Sequence, residues 1–343
     1  MAERLIRTLV AEFQLCGVRK AEVCAVLSDG GTRDDLRAAS VEALLRLDAH
    51  VFQIVLPEVV GEPAGAGRQS EQIGQGQLHR VEPALLALQQ SGFIVDLTTS
   101  FGGLIHDPAR DALLENGARI LHIAEHPDIL CRLLPDEDLR QRVEEAVNKL
   151  KAASTLRVTS EAGTDLTVNL RGAVVNGLYG FTDQPGRLDV FPAGFVAAYP
   201  ARDSVNGKLV LNTADIDLNF MRLIDGPVEL TIENDFITRI EGHSTHAHLM
   251  RDYMASWGEK DAYATSHVGW GLNKKARWTG FAFFPPHETE GMEARAFAGN
   301  FLFSSGANRF AGRHSHCHFD LPMRNCSVYL DDVPVVVDGN LVE

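Results

Sequence analysis

The sequence predicts an α/β N-terminal domain with a mainly parallel sheet, residues 1–152, joined to a β-rich α+β C-terminal domain, residues 153–343. Three observations predict it. Over the first 150 residues short apolar runs alternate with stretches of helical period, the strand, helix, strand order of a parallel sheet covered by helices. From Ser154 the texture changes to short strands separated by turn residues, which points to antiparallel pairing. A chain of 343 residues is also long for one core and supplies two domains with a sizeable interior each.

The elements follow in chain order. The apolar opening Met1-Ala2-Glu3-Arg4-Leu5-Ile6-Arg7-Thr8-Leu9-Val10 is interrupted by charge before a signal-peptide core could form, so it reads as an amphipathic helix. Ala21-Glu22-Val23-Cys24-Ala25-Val26-Leu27 is a strand, and the turn Ser28-Asp29-Gly30-Gly31-Thr32 leads into a helix through Leu45. Further strands are expected at 50–56, 93–97 and 119–123, with helices at 80–90, 109–115 and 136–152; the last sets the boundary near Ala152. Segment 61–76, rich in Gly and Gln, reads as a loop or lid. Its glycines do not make a G-x-G-x-x-G after a strand, which argues against a dinucleotide site. Beyond the boundary, 156–159 and 166–170 flank Glu161-Ala162-Gly163-Thr164-Asp165 as a hairpin, 208–211 is a strand, and 228–232 pairs with 236–240 across Glu233-Asn234-Asp235.

Hydrophobic residues make up 45% and charged residues 23% of the chain, an ordinary globular balance. The net charge of −14 repels phosphate backbones and no Lys/Arg block reverses it, so no nucleic-acid partner is expected. No apolar run reaches membrane-spanning length, and without a secretory signal the expected location is cytoplasmic. Cys16, Cys24, Cys131, Cys317 and Cys326 are odd in number and contain no C-x-x-C pair, so reduced thiols are expected.

The run His314-Ser315-His316-Cys317-His318-Phe319-Asp320 places three imidazoles and a carboxylate at i, i+2 spacing, hence on one face of a strand. Two such neighbours, for example His318 and Asp320, can converge on one ion, and Cys317 would point the other way. Two His and one carboxylate are the ligand set of non-haem Fe(II) oxygenases, so a third ligand has to come from elsewhere. The best upstream candidate is His267, in Thr265-Ser266-His267-Val268-Gly269-Trp270, although a His beside Val and Trp is more often a hydrogen-bonded core or rim residue. A second cluster, His243-Ser244-Thr245-His246-Ala247-His248, precedes an amphipathic run at 249–257 and reads as the start of a helix. His287, beside Pro285-Pro286, reads as a loop residue.

Six segments span most of the chain in a consistent order: Leu104-Ile105-His106, Pro185-Gly186-Arg187, Phe191-Pro192-Ala193-Gly194-Phe195, Ser266-His267-Val268-Gly269-Trp270-Gly271-Leu272, Gly299-Asn300-Phe301-Leu302-Phe303-Ser304 and His318-Phe319-Asp320-Leu321-Pro322-Met323-Arg324-Asn325-Cys326. Together they resemble the 2,5-dihydroxypyridine 5,6-dioxygenases of nicotinate and picolinate breakdown, which share a fold with the leucine aminopeptidase T-type metallopeptidases. The resemblance implies His267, His318 and Asp320 as ligands of one Fe(II), His106 as the catalytic acid/base, and Leu104, Arg187, Phe195 and Ser304 as substrate-pocket residues. The resemblance also implies that two glutamates of the peptidase relatives are replaced here by Phe195 and His267. Fewer carboxylates and more nitrogen favour a single Fe(II) over two Lewis-acid metals.

The activity so implied is extradiol-like: both atoms of O₂ enter a hydroxypyridine as C5–C6 breaks, giving N-formylmaleamate. A His near neutrality can take the substrate hydroxyl proton and return it, and Gly102-Gly103 would let its loop close. One departure from the family pattern is Val190, where the resemblance implies a polar His, so a differently substituted hydroxypyridine is the nearest alternative. The others are a metalloaminopeptidase and a non-catalytic scaffold that kept the fold. The expected partners are the hydroxypyridine, O₂ and further copies of the chain in a homo-oligomer, with no membrane.

Overall fold

The computed structural model describes residues 2–57, 78–99, 103–105 and 107–342. The loop at 61–76 and His106 therefore lie outside the described residues. The opening helix, Ala2–Leu15, forms as the charge pattern implies, and its Leu5, Leu9 and Phe13 at i, i+4 spacing are the buried stripe. The N-terminal sheet is parallel throughout, in the spatial order His50–Leu56, Val23–Asp29, Phe93–Asp96, Arg119–His122 and Leu188–Val190. Its central strands are apolar on both faces because helices cover both. Val95 and Leu121 pack into the core on the side of Ala2–Leu15, while Ile94 and Ile120 pack with Leu88 and Leu113 on the other.

The fifth strand departs from the expected division. Leu188–Val190 lies beyond Ala152, yet it pairs with Arg119–His122, so the second half of the chain completes the first sheet. A three-residue strand carries too little periodicity to stand out in a sequence. The helix expected at 80–90 is also shorter, a 3₁₀ turn at Leu78–Arg80 followed by a helix at Glu82–Leu88. Pro83 explains the restart, since its ring is accommodated only in a first turn.

Two antiparallel sheets make up most of the rest, beside a short antiparallel pair of Ile216–Asp217 with Arg222–Leu223. An eight-stranded sheet contains both expected hairpins, Thr155–Ser160 with Asp165–Asn169 and Val228–Glu233 with Phe236–Glu241. A five-stranded sheet has the order Arg313–Met323, Phe301–Asn308, Thr265–Gly271, Phe195–Tyr199 and Val174–Leu178. Between the parallel sheet and this third sheet lies a cavity of about 1030 Å³. His122 and Val190, the last residues of their parallel strands, are on its wall, in the position where open α/β sheets bind ligands.

Candidate metal centre

Three neighbouring strands build the centre. His267 is paired with Ser304, Ser304 with Asp320, and Gly306 with His318, so the side chains form a row across the sheet. A register shift between Thr265 and His267 marks a bulge, the device that re-aims a side chain within a ladder. Gly306 is needed where it stands: its φ is +115°, and a Cβ there would meet the Cys317 carbonyl oxygen at 1.9 Å. The strand carrying His318 and Asp320 is at the sheet edge, and the free edge is clamped by Asn219. That side chain donates to the His318 carbonyl at 2.5 Å and accepts from Asp320 N at 3.2 Å.

One donor atom from each of His267, His318 and Asp320 lies within 4.8 Å of the others, and all three residues are buried. This is the one such group of His, Cys, Asp or Glu among the described residues. His318 Nε2 is 3.1 Å and His267 Nε2 3.7 Å from Asp320 Oδ1. The imidazoles stack at 5.4 Å between centroids, and the Ser304 hydroxyl donates to Asp320 Oδ1 and sits 3.0 Å from His267 Nε2. Burial by itself would raise the Asp320 carboxyl; Arg295 above all, then His318 and His267, hold it well below the usual carboxylate range. Two nitrogens and an anionic oxygen, aimed into a cavity from one side, suit a divalent transition metal with open positions on the opposite side. A metal cofactor fits the residues present.

The other imidazoles of the run do not converge. His314 and His316 are exposed, and His316 is engaged by Glu259. The 243–248 cluster begins the helix Thr245–Ser256, with Ser244 accepting from Ala247 N as its cap. Its His246 is buried against Asp217 at 2.7 Å.

Of the residues expected in the substrate pocket, Phe195 lines the cavity. The Ser304 hydroxyl lies between His267 Nε2 and Asp320 Oδ1, two of the three donors. The Arg187 guanidinium is engaged by Asp189 at 2.6 Å and the Gly177 carbonyl at 3.1 Å, and stacks over Tyr179 at 4.0 Å. Leu104 is 1% exposed and packs into the core with Leu27 and Ile120. Ile105 and Asp107, on either side of His106 in sequence, line the cavity.

A second buried group on the cavity wall was not foreseen. His122 Nδ1 lies 3.0 Å from Asp96 Oδ2 and its Nε2 lies 3.3 Å from Glu290 Oε2, and Asp96 Oδ2 also accepts from Leu104 N at 2.8 Å. A His ending a parallel strand was the available signal. Burial opposes a charged ring here, but Glu290 and then Asp96 raise His122 to about 10, so it is an imidazolium at neutral pH. Nearby Glu125 is pushed by burial up to about 7, against bonds from Thr289 and Met292 N that lower it. Because the folded-state value of His122 lies above its unfolded one, the stability it confers is complete below about pH 6.5 and is lost as pH rises towards 10. His122→Gln is therefore expected to be less stable at pH 6.5 by on the order of 4 kcal/mol, with the gap closing in denaturant melts run towards pH 10. A gap that does not change with pH would contradict a charged His122.

Comparison with known proteins gives a consistent result. A family model described as NicX, 2,5-dihydroxypyridine 5,6-dioxygenase, matches residues 4–343. A curated 2,5-dihydroxypyridine 5,6-dioxygenase of Pseudomonas putida KT2440 is 38% identical over 332 residues, 96% of this chain and 93% of its own length. The solved structure of the 2,5-dihydroxypyridine dioxygenase from that strain superposes with a TM-score of 0.93 at 36% identity, covering 100% of this chain and 98% of that one. Wild-type AmpT from Thermus thermophilus superposes with a TM-score of 0.67 at 16% identity over 99% of each chain, a likeness of fold.

Proposed function

Since the chain belongs to the 2,5-dihydroxypyridine 5,6-dioxygenase family, we propose that it opens 2,5-dihydroxypyridine between C5 and C6, with one Fe(II) held by His267, His318 and Asp320. The observation that carries the reading is the convergence of those three donors on one side of a cavity whose other walls are free to hold a flat ring. When bound, Fe(II) supplies the redox chemistry with O₂ that side chains lack. Both oxygen atoms end in the product, N-formylmaleamate.

The protein's part is to bind, orient and keep water out. Val190, Phe195 and Met292 belong to one apolar cluster on the cavity wall, packed with Ile105, Leu178 and Leu188. That wall suits the face of an aromatic ring and dries it. Val190 adds an apolar edge, which supports a ring without a polar group at that side. Ser304 holds His267 and Asp320 in register with each other, and Arg187 pairs with Asp189, which accepts from the Val190 N–H at the cavity wall. His106 takes the proton of a ring hydroxyl at an imidazole nitrogen and later returns it; support comes from the family resemblance and from the cavity-lining Ile105 and Asp107 beside it in sequence. The five free cysteines, four of them buried, support a reducing, cytoplasmic setting. Among the described residues no helix is long and apolar enough to cross a membrane. The reading includes self-assembly of the chain, which light scattering on the purified protein checks.

The test is reconstitution with Fe(II) under anaerobic conditions, followed by mixing with 2,5-dihydroxypyridine and O₂. The expected result is about one iron per chain, with one O₂ consumed for each ring lost. Peptide hydrolysis with no O₂ uptake on 2,5-dihydroxypyridine or its ring-substituted analogues would reject the reading.

A further inference from the structure

Arg295 approaches the metal-facing carboxylate from outside the donor triangle. Its Nε donates to Asp320 Oδ2 at 2.6 Å and its Nη2 lies 2.5 Å from the same oxygen. The other oxygen, Oδ1, faces His318 Nε2 and His267 Nε2. The two oxygens of one carboxylate are thus divided between different neighbours.

Arg295 is itself held firmly. It is 9% exposed, its Nη1 donates to the Glu290 carbonyl at 2.6 Å, and Met292 Sδ lies 3.6 Å away. The Glu290 side chain meets His122, whose other nitrogen meets Asp96 at the end of a parallel strand. Through Glu290 the guanidinium is thus linked to the parallel sheet as well as to the strand that carries Asp320.

Two consequences follow from elementary electrostatics. A carboxylate free to turn can offer both oxygens to a metal, whereas one whose Oδ2 is gripped by two N–H groups offers Oδ1 alone. The guanidinium charge also cancels that of Asp320, so a divalent ion bound to two neutral imidazoles and this carboxylate sits in a local field of about +2 instead of +1. A centre of higher charge with fewer of its positions filled by protein favours an anionic ligand, such as a ring hydroxyl that has lost its proton.

We propose that Arg295 is a positioning residue that holds Asp320 to one-oxygen donation and keeps the centre receptive to an anion. The proposal rests on the metal reading of His267, His318 and Asp320. A merely structural ion pair would stabilise the fold without changing either the coordination number or the affinity for anions.

Co(II) is the probe, because its visible bands weaken as its coordination number rises, and azide serves as the simple anion. In Arg295→Met the Co(II) bands are expected to weaken as Asp320 turns to use both oxygens, and azide affinity is expected to fall about ten- to hundredfold. Arg295→Lys returns the charge without the two-pronged grip, so it is expected to recover azide affinity while its bands stay weak. Wild-type bands and wild-type azide affinity in Arg295→Met would overturn the proposal. If Arg295→Met does not fold, Arg295→Lys carries the test, and bands identical to wild type in it overturn the proposal. Wild-type protein that takes up no Co(II), or takes it up equally after His318→Ala, overturns the metal centre itself and this proposal with it.

Discussion

Proteins carrying His318→Ala, His267→Ala or Asp320→Ala are each expected to lose metal and ring cleavage together. Every one of the three supplies a donor atom that lies within 4.8 Å of the other two, and no further His, Cys, Asp or Glu joins that group among the described residues. The remaining two donors would hold an ion weakly, and a Lewis-acid and redox centre contributes several kcal/mol to a barrier, so turnover is expected to fall by about 10³-fold or more. Asp320→Ala carries an added cost, because it leaves the Arg295 guanidinium buried without its carboxylate. Asp320→Asn separates the two effects: the side chain still reaches Arg295 but offers no anionic donor. His316→Ala is the control. That imidazole is half exposed and bonded to Glu259, so its loss is expected to leave metal content unchanged. Metal content and O₂ uptake, measured on protein reconstituted without air, check the set. Loss of metal from His316→Ala with retention in His318→Ala would mean that the wrong imidazoles of the run had been chosen.

His106→Ala is expected to keep its metal and lose rate. The residue is not one of the three proposed ligands, and general acid/base assistance contributes typically ~10²–10⁴-fold, so kcat should drop by that order while substrate still perturbs the metal's spectrum. His106→Asn retains a hydrogen-bonding side chain but cannot move a proton near neutral pH, and should restore binding more than rate. Single-turnover loss of the hydroxypyridine absorbance, read beside metal content, is the measurement. Unchanged single-turnover cleavage in His106→Ala would remove it from the mechanism.

Much of the fold was legible because its signals are local. The alternation at 314–320 is observed as the strand Arg313–Met323, the hairpins at 156–170 and 228–240 are observed in antiparallel register, and Asp136 caps the helix that ends at Ala152. Each depends on residues two to four positions apart, which set the period of a strand, the stop of a turn or the cap of a helix. The metal-facing residues were legible in part for the same reason: His318 and Asp320 share a strand face at i, i+2 spacing.

The remainder depended on which strands lie side by side. His314, His316 and His318 are equivalent in a linear reading, and only the packing shows that the strand runs from an exposed end, where Glu259 meets His316, into a buried one at His318. His267 reaches the same point through a bulge and the strand carrying Ser304 between it and Asp320. Leu188–Val190 joins a sheet whose first strand begins at Val23, which puts Val190 on the cavity wall. Arg295 gave no linear signal, being one of two charged residues in a five-residue helix. The sequence by itself determined the periodic elements, the order of the two sheet classes and the residue types able to hold a metal. Tertiary structure decided which of those residues meet, because register and strand order bring together side chains far apart in the chain, and a shift of one residue would have turned each of them to the other face.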